Sequence, residues 1–318
     1  MNLESLKTKF WDGKYAENEK KSSKQFYFDE EGIKVAIKRA LGDFTDRTEK
    51  LTPESGVKSL GVEEKFKLLC GTGNMSTNIP AEGSFVKKFI DYFFEKPLEF
   101  KEQKDFDNWH HDMCELFLRT LEKRYQGGLH YGKAQKIVNM TFKNAYCLKG
   151  SRNLDEYYKW CHMPLDSITL EWVGRTQATI KSIDPDYRYL RKGRIPSWSK
   201  MNYKEEDDFK NSEGNPYYSY KEIQEAIFTY FAKYVEKNKV TEYLKNCTPL
   251  KAEFFVWKYM QFELSAEDFY KQCLSFIEVD DKTKNEQNEF KGKTINKKLK
   301  CLQEKLKDIE IYKTPEEV

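Results

Sequence analysis

The sequence has no apolar run approaching the ~20 residues that a membrane span needs. Its opening residues, Met1-Asn2-Leu3-Glu4-Ser5-Leu6-Lys7, carry no secretory h-region. A cytoplasmic protein with no membrane partner is the expectation. Paired cysteines are also missing. The seven present (Cys70, Cys114, Cys147, Cys161, Cys247, Cys273, Cys301) are odd in number, widely spaced and free of any C-x-x-C, which fits reduced thiols rather than a disulfide framework. Excess charge of one sign is absent: 55 Lys plus Arg against 52 Asp plus Glu leave +3, so any nucleic-acid signal has to be local. Serine-hydrolase elbows, Walker loops, dinucleotide fingerprints and internal repeats are not found either. Apolar residues make up only 39% of the chain and charged ones 34%, against roughly 45–50% and about 25% in an average soluble domain. What the chain does have is 22 Phe, 20 Tyr and 6 Trp in 318 residues. That is enough bulk for a sizeable core in one large domain or two ordinary ones, and it excludes disorder throughout.

The periodicity is helical almost everywhere, and few alternating runs suggest a sheet, so the fold class is read as all-α. Around 105–125, Phe106, Trp109, Met113, Phe117, Leu118 and Leu121 fall at helical spacing, with Asp112, Glu115 and Lys123 opposite. A second helix is expected to begin near Gly132, with Ala134, Ile137, Val138, Thr141, Ala145 and Leu148 forming its apolar stripe and Gly150 stopping it. Lys136, Asn139 and Lys143 then fall on a polar face that is expected to be solvated. Further helices are expected near 31–41, 84–95, 166–182, 220–237, 251–263, 266–278 and 294–309, with Ser265 and Asp268 capping one of them. Gly71 to Gly83 reads as a long loop and Val279 to Lys293 as a polar connection. A turn-rich break at 210–216 divides a main helical body, 1–213, from a C-terminal helical part, 214–318.

The stretches with chemical interest are Leu129 to Met140 and Cys161 to Ile168. Asp166 follows Pro164 and opens an apolar helix, the position of an N-cap whose carboxylate accepts backbone N–H groups. A carboxylate held at a helix N-terminus is a stabilised, rigid anion, suited to supporting a developing positive charge or orienting a water. Lys133 falls in the first turn of its helix, where the dipole does not favour a cation. Tyr187 to Lys204 contains Arg188, Arg191, Lys192, Arg194, Lys200 and Lys204 with no acidic residue, interleaved with Tyr187, Tyr189, Trp198 and Tyr203. Cations neutralise phosphates while aromatic rings stack on bases or wedge between them. The same segment also reads as a solvated loop with its aromatics in the core. His110 or His111 with Cys114, together with Cys161-His162, would supply nitrogen and sulfur for zinc; buried thiols and packing imidazoles are the preferred reading, and no metal or other cofactor is assigned.

Tyr131-Gly132-x-Ala134-Gln135-Lys136, His162-x-Pro164-Leu165-Asp166 and Trp198-Ser199-Lys200 resemble a widespread group of helical bacterial proteins. The order of a Gly-led Lys helix followed by a Pro-hydrophobic-Asp-Ser turn is similar to the helix-hairpin-helix DNA glycosylases. The resemblance implies an all-α body that grips DNA through a glycine hairpin. It also implies an aspartate, matched by Asp166, as the catalytic acid group, and a lysine, matched by Lys133 or Lys136, that can attack the sugar. Tyr131, Gln135 and His162 would line the base pocket, and Arg188, Arg191, Lys192, Arg194, Trp198 and Lys200 would contact DNA. The implied activity is excision of a modified or damaged base from DNA, conceivably in defence against phage with modified DNA. A non-catalytic nucleic-acid-binding or interaction protein and a zinc-dependent nuclease are the alternatives.

Overall fold

The computed structural model describes residues 3–13, 26–44, 60–71, 79–95, 100–122, 129–151, 155–204, 209–235, 244–277, 298–300 and 302–303. Ten α-helices follow in chain order among them: α1 (Leu3–Gly13), α2 (Glu30–Gly42), α3 (Val62–Leu69), α4 (Phe85–Ile90), α5 (Gln103–Glu122), α6 (Tyr131–Tyr146), α7 (Asp155–Tyr158), α8 (Ser167–Ile183), α9 (Tyr220–Lys233) and α10 (Pro249–Ile277). The all-α expectation holds: among the described residues there is no strand, only two isolated bridges, Tyr27 with Lys149 and Lys210 with Pro216. Gly127, Gly128, most of the 71–83 loop and the 279–293 connection lie outside the described residues. Of the helix expected at 294–309, residues 298–300 and 302–303 are described, and they are helical.

Helix starts follow local chemistry. Asp29 caps α2 by accepting from Gly32 N at 2.8 Å, and Ser219 with Glu222 closes a capping box on α9. α1 and α3 are additions to the expected helices. α1 is held by Leu6 and Trp11, both buried, and by Arg39, whose guanidinium lies 3.4 Å over the Trp11 ring and donates to Trp11 O at 3.1 Å. Two expectations need correction. The helices at 251–263 and 266–278 are one, α10, because the Ser265 hydroxyl donates back to Gln261 O at 2.6 Å and leaves the helical ladder unbroken. The polar face of α6 is not solvated: every residue of that helix except Lys136 is buried, with Asn139 at 0% and Lys143 at 2% exposure.

α6 is the axis of the molecule. α2 and α5 pack along it, and Phe142 sits among Phe89, Tyr92, Phe106 and Trp109 with ring centroids 5.2–5.7 Å away, mostly in the edge-on and tilted geometries aromatic rings prefer. α8 and α1 both lie against α10. Buried residues from Leu6 to Met260 form one core cluster that spans both sides of residue 213. Over the first turn of α6 runs the segment Trp198–Met201. Gly132 N donates to Met201 O at 2.9 Å, and a Cβ on Gly132 would stand 1.6 Å from Trp198 O. Glycine is required there by the close approach of two backbones.

Candidate active site

Asp166 caps α8. Its Oδ1 accepts from Ile168 N at 2.9 Å, Thr169 N at 3.0 Å and more distantly the Thr169 hydroxyl, while Thr169 Oγ1 in return accepts from Asp166 N at 2.8 Å. All three bonds to the carboxylate go to Oδ1; among the described residues none reaches Oδ2. The turn thus fixes one carboxylate oxygen and leaves the other for a ligand.

Asp166 lines a cavity of about 350 Å³ together with Lys136, Met140 and Lys143 of α6, Leu6, Lys9 and Phe10 of α1, Asp43, and Glu253, Phe254, Trp257, Lys258 and Gln261 of α10. That volume is within the range of small-molecule sites, and its aromatic walls with a few charged groups have their usual make-up. Lys143 and Glu253 form an ion pair, both side chains 3% exposed. The Lys143 ammonium is also covered by the Phe10 and Phe254 rings at 4.0 and 4.7 Å.

The two lysines singled out in the sequence part company. Lys136 lines the cavity that holds Asp166, and its ammonium lies 4.6 Å over the Trp198 ring. Lys133 is buried, 5.4 Å over Phe44, beside a void of only about 10 Å³ that it shares with Lys136, Asp43 and Trp198. Of the residues expected in a base pocket, Tyr131 and Gln135 are buried and line neither the Asp166 cavity nor the Lys133 void. His162 lines a second cavity, of about 380 Å³, with Gln103, Asp107, Tyr203, Tyr220, Lys221 and Gln224 among its walls.

The basic segment divides likewise. Arg188, Arg191 and Lys200 are exposed. Lys192 reaches Glu171 of α8 at 2.7 Å while its methylenes cover Gly174. Arg194 is structural: its Nε donates to Pro216 O at 2.7 Å and its guanidinium lies 4.3 Å over Tyr218. Trp198 is half-buried and joins this segment to Lys136. Tyr187 packs on Tyr234 and Tyr203 stacks on His111 at 3.8 Å, so those two rings serve the interior. Lys181, followed by Arg191, holds the Tyr189 phenol below its ordinary pKa.

His110 and Cys114 do lie together, with Sγ 3.7 Å from His110 Nδ1, but His110, Cys161 and His162 are each held by further partners. His110 meets Asn139 at 2.9 Å, Cys161 Sγ meets Tyr157 O at 3.6 Å, and His162 meets Asp107 and Tyr220, both at 2.8 Å. Among the described residues no three His, Cys, Asp or Glu side chains converge as metal ligands.

The chain matches no family model, no curated protein and no solved structure. Its chemistry is therefore read from geometry. Sequence reasoning missed the cavity walls from α1 and α10. The signal that was present is Glu253, a lone acid in the run Ala252-Glu253-Phe254-Phe255-Val256, since a charge inside such a run calls for a buried partner.

Proposed function

We propose that the protein is a DNA glycosylase that excises a modified or damaged base, with Asp166 as the catalytic carboxylate and Lys136 as the lysine beside it. What supports the reading is one observation: Asp166 and Lys136, from the starts of two different helices, line the same aromatic-walled cavity. A base is out of reach inside a stacked duplex, so it must be extruded into such a pocket. As the N-glycosidic bond breaks, its electron pair leaves with the base and positive charge develops on the sugar. The Asp166 carboxylate stabilises that charge and aligns a water that adds to C1′, giving up its proton. If the Lys136 amine adds to C1′ instead and loses its proton, the C1′–O4′ bond then breaks with O4′ taking up a proton, the opened sugar is left as a Schiff base on the lysine, and strand cleavage can follow. Trp198 lies against Lys136, and the exposed Lys200, Arg191 and Arg188 of the same segment supply cations for a DNA backbone. Asp43, Lys143 and Glu253 supply further polar groups to the extruded base. A setting in phage defence, acting on modified phage DNA, fits this activity.

The test is to incubate the purified protein with normal, damaged and phage-modified DNA and score abasic sites with and without alkali. Asp166→Asn keeps the cap, because an amide oxygen accepts the same backbone bonds, and it is expected to bind DNA without excising. Borohydride trapping of a protein–DNA adduct that disappears in Lys136→Gln would identify the amine pathway. Intact DNA across the panel with binding retained would reject the enzyme in favour of a non-catalytic DNA-binding protein.

A further inference from the structure

The Leu165–Asp166 junction is held from behind by buried side chains whose hydrogen-bond directions can be assigned one after another. Gln135 Nε2 donates to Leu165 O at 3.0 Å and to Gly132 O at 2.9 Å. Gln135 Oε1 accepts from Leu165 N at 3.4 Å and from Asn139 Nδ2 at 3.0 Å. One side-chain amide thus both gives to and takes from the backbone of the residue before Asp166, as a neighbouring strand would. The second hydrogen of Asn139 Nδ2 goes to the Tyr220 hydroxyl at 2.9 Å, so Asn139 Oδ1 must accept from His110 Nε2 at 2.9 Å. His110 is able to donate from Nε2 while neutral, and neutral it is: burial, then the neighbouring His162, pushes it well below its ordinary pKa. Tyr220, already accepting from Asn139, shares a hydrogen bond with His162 Nδ1 at 2.8 Å. His162 Nε2 in turn donates to Asp107 Oδ1 at 2.8 Å. Asp107 Oδ1 also takes Gln103 Nε2 at 2.8 Å. With Leu165 O and Gly132 O as fixed acceptors, the amides of Gln135 and Asn139 have a single arrangement, while the direction of the Tyr220–His162 bond follows whether His162 Nδ1 carries a proton.

The far end of this chain opens on the second cavity, at Asp107 and His162, and its near end grips the backbone that carries the catalytic carboxylate. We infer that Asp107, His162, Tyr220, Asn139 and Gln135 form a positioning relay that fixes the Leu165–Asp166 backbone and thereby aims the Asp166 carboxylate into its cavity. The relay's effect on base excision rests on the glycosylase reading, while its grip on the 161–170 backbone does not. None of the five residues is a wall of the Asp166 cavity, so each acts through Asp166 rather than on the substrate. Gln224 adds a second hold on the same stretch through Met163 O at 2.8 Å.

Tyr220→Phe tests the relay, because it removes a single hydroxyl from a fully buried ring and leaves both Asn139 Nδ2 and His162 Nδ1 short of a partner. Tyr158→Phe is the matched control, a fully buried tyrosine whose hydroxyl has no hydrogen-bond partner. Two readouts are taken on the full chain: hydrogen exchange of peptides covering 161–170 by mass spectrometry, and single-turnover excision with DNA affinity. Tyr220→Phe is expected to speed exchange in 161–170 and to slow excision by about tenfold, the rate equivalent of one lost hydrogen bond, with DNA affinity unchanged. Tyr158→Phe is expected to do neither. Asp107→Asn, at the half-exposed end, should act in the same direction as Tyr220→Phe and serves if that variant folds poorly. Unaltered exchange in 161–170 for both relay variants overturns the relay, whatever happens to DNA. Accelerated exchange in a protein that excises nothing keeps the relay and removes the glycosylase reading. Excision slowed through weakened DNA binding, or equally by Tyr158→Phe, overturns the positioning role.

Discussion

Replacing Gly132 with alanine is expected to unfasten Trp198–Met201 from the start of α6. The added Cβ would stand 1.6 Å from Trp198 O, 2.8 Å from Trp198 C and 3.2 Å from Met201 Cβ. Non-bonded heavy atoms settle at roughly 3.5–4.0 Å, so the segment has to retreat by about 2 Å. The bond from Gly132 N to Met201 O, now 2.9 Å, lies at the same contact and breaks with that retreat. Overpacking costs about 1–3 kcal/mol and the lost hydrogen bond about 1 kcal/mol. Alanine's better helix propensity returns up to about 1 kcal/mol. The net loss is about 1–3 kcal/mol, a fall in Tm of roughly 2–5 °C for a chain of this size. Thermal melts followed by tryptophan fluorescence measure it directly, since Trp198 sits at the contact. Gly193→Ala is the control, because a Cβ there meets nothing within 4 Å. If Gly132→Ala melts at or above the wild-type temperature, the close approach does not hold and the placement of Trp198 beside Lys136 falls with it.

Lys143→Met strands Glu253 in the cavity wall and is expected to cost about 3–5 kcal/mol, most of it recovered when Glu253→Leu is added. Urea unfolding of the single and double variants decides this, and equal stabilities would show that the ion pair is solvated rather than buried. Burial raises the Asp107 carboxyl, but the hydrogen bond and charge of His162, the hydrogen bond from Gln103 and the charge of Lys221 outweigh it and hold its pKa below the ordinary value. A depressed folded value means that the stability supplied by ionised Asp107 is fully present above the unfolded pKa of about 3.9 and is lost as pH falls through the lower folded value. The stability difference between wild type and Asp107→Asn should therefore be widest above about pH 4 and close below it. A gap that stays constant down to acid unfolding would refute the assignment.

Much of the architecture was legible from local pattern. The α5 stripe of Phe106, Met113, Phe117 and Leu121 is buried as its spacing demands, and Asp166 caps α8 because Asp after Pro and before an apolar run has little else to do. The errors share a cause. Asn139 and Lys143 looked solvent-facing because polar residues on a helix usually are, whereas here their partners, Tyr220 and Glu253, arrive from α9 and α10 far along the chain. Ser265 looked like a cap because its side-chain bond to Gln261 O is invisible to a rule based on flanking residues. The carboxylate end of the site was therefore readable in the sequence, and the cavity around it was not, since Phe10 and Trp257 come from opposite ends of the described chain.

That last arrangement bears on when the site comes into being. Phe10 packs edge-on against Phe254 at 5.6 Å, and α1 rests on α10, so the far wall of the cavity joins two helices that are synthesised far apart in time. At about 5–20 residues per second, Lys136 and Asp166 leave the ribosome several seconds before Phe254 and Trp257 do. Until then Lys136 and Asp166 lack the wall that α10 supplies. The cavity is thus completed only when translation has passed residue 261, and a fragment that stops short of α10 would carry Lys136 and Asp166 without the walls that enclose them.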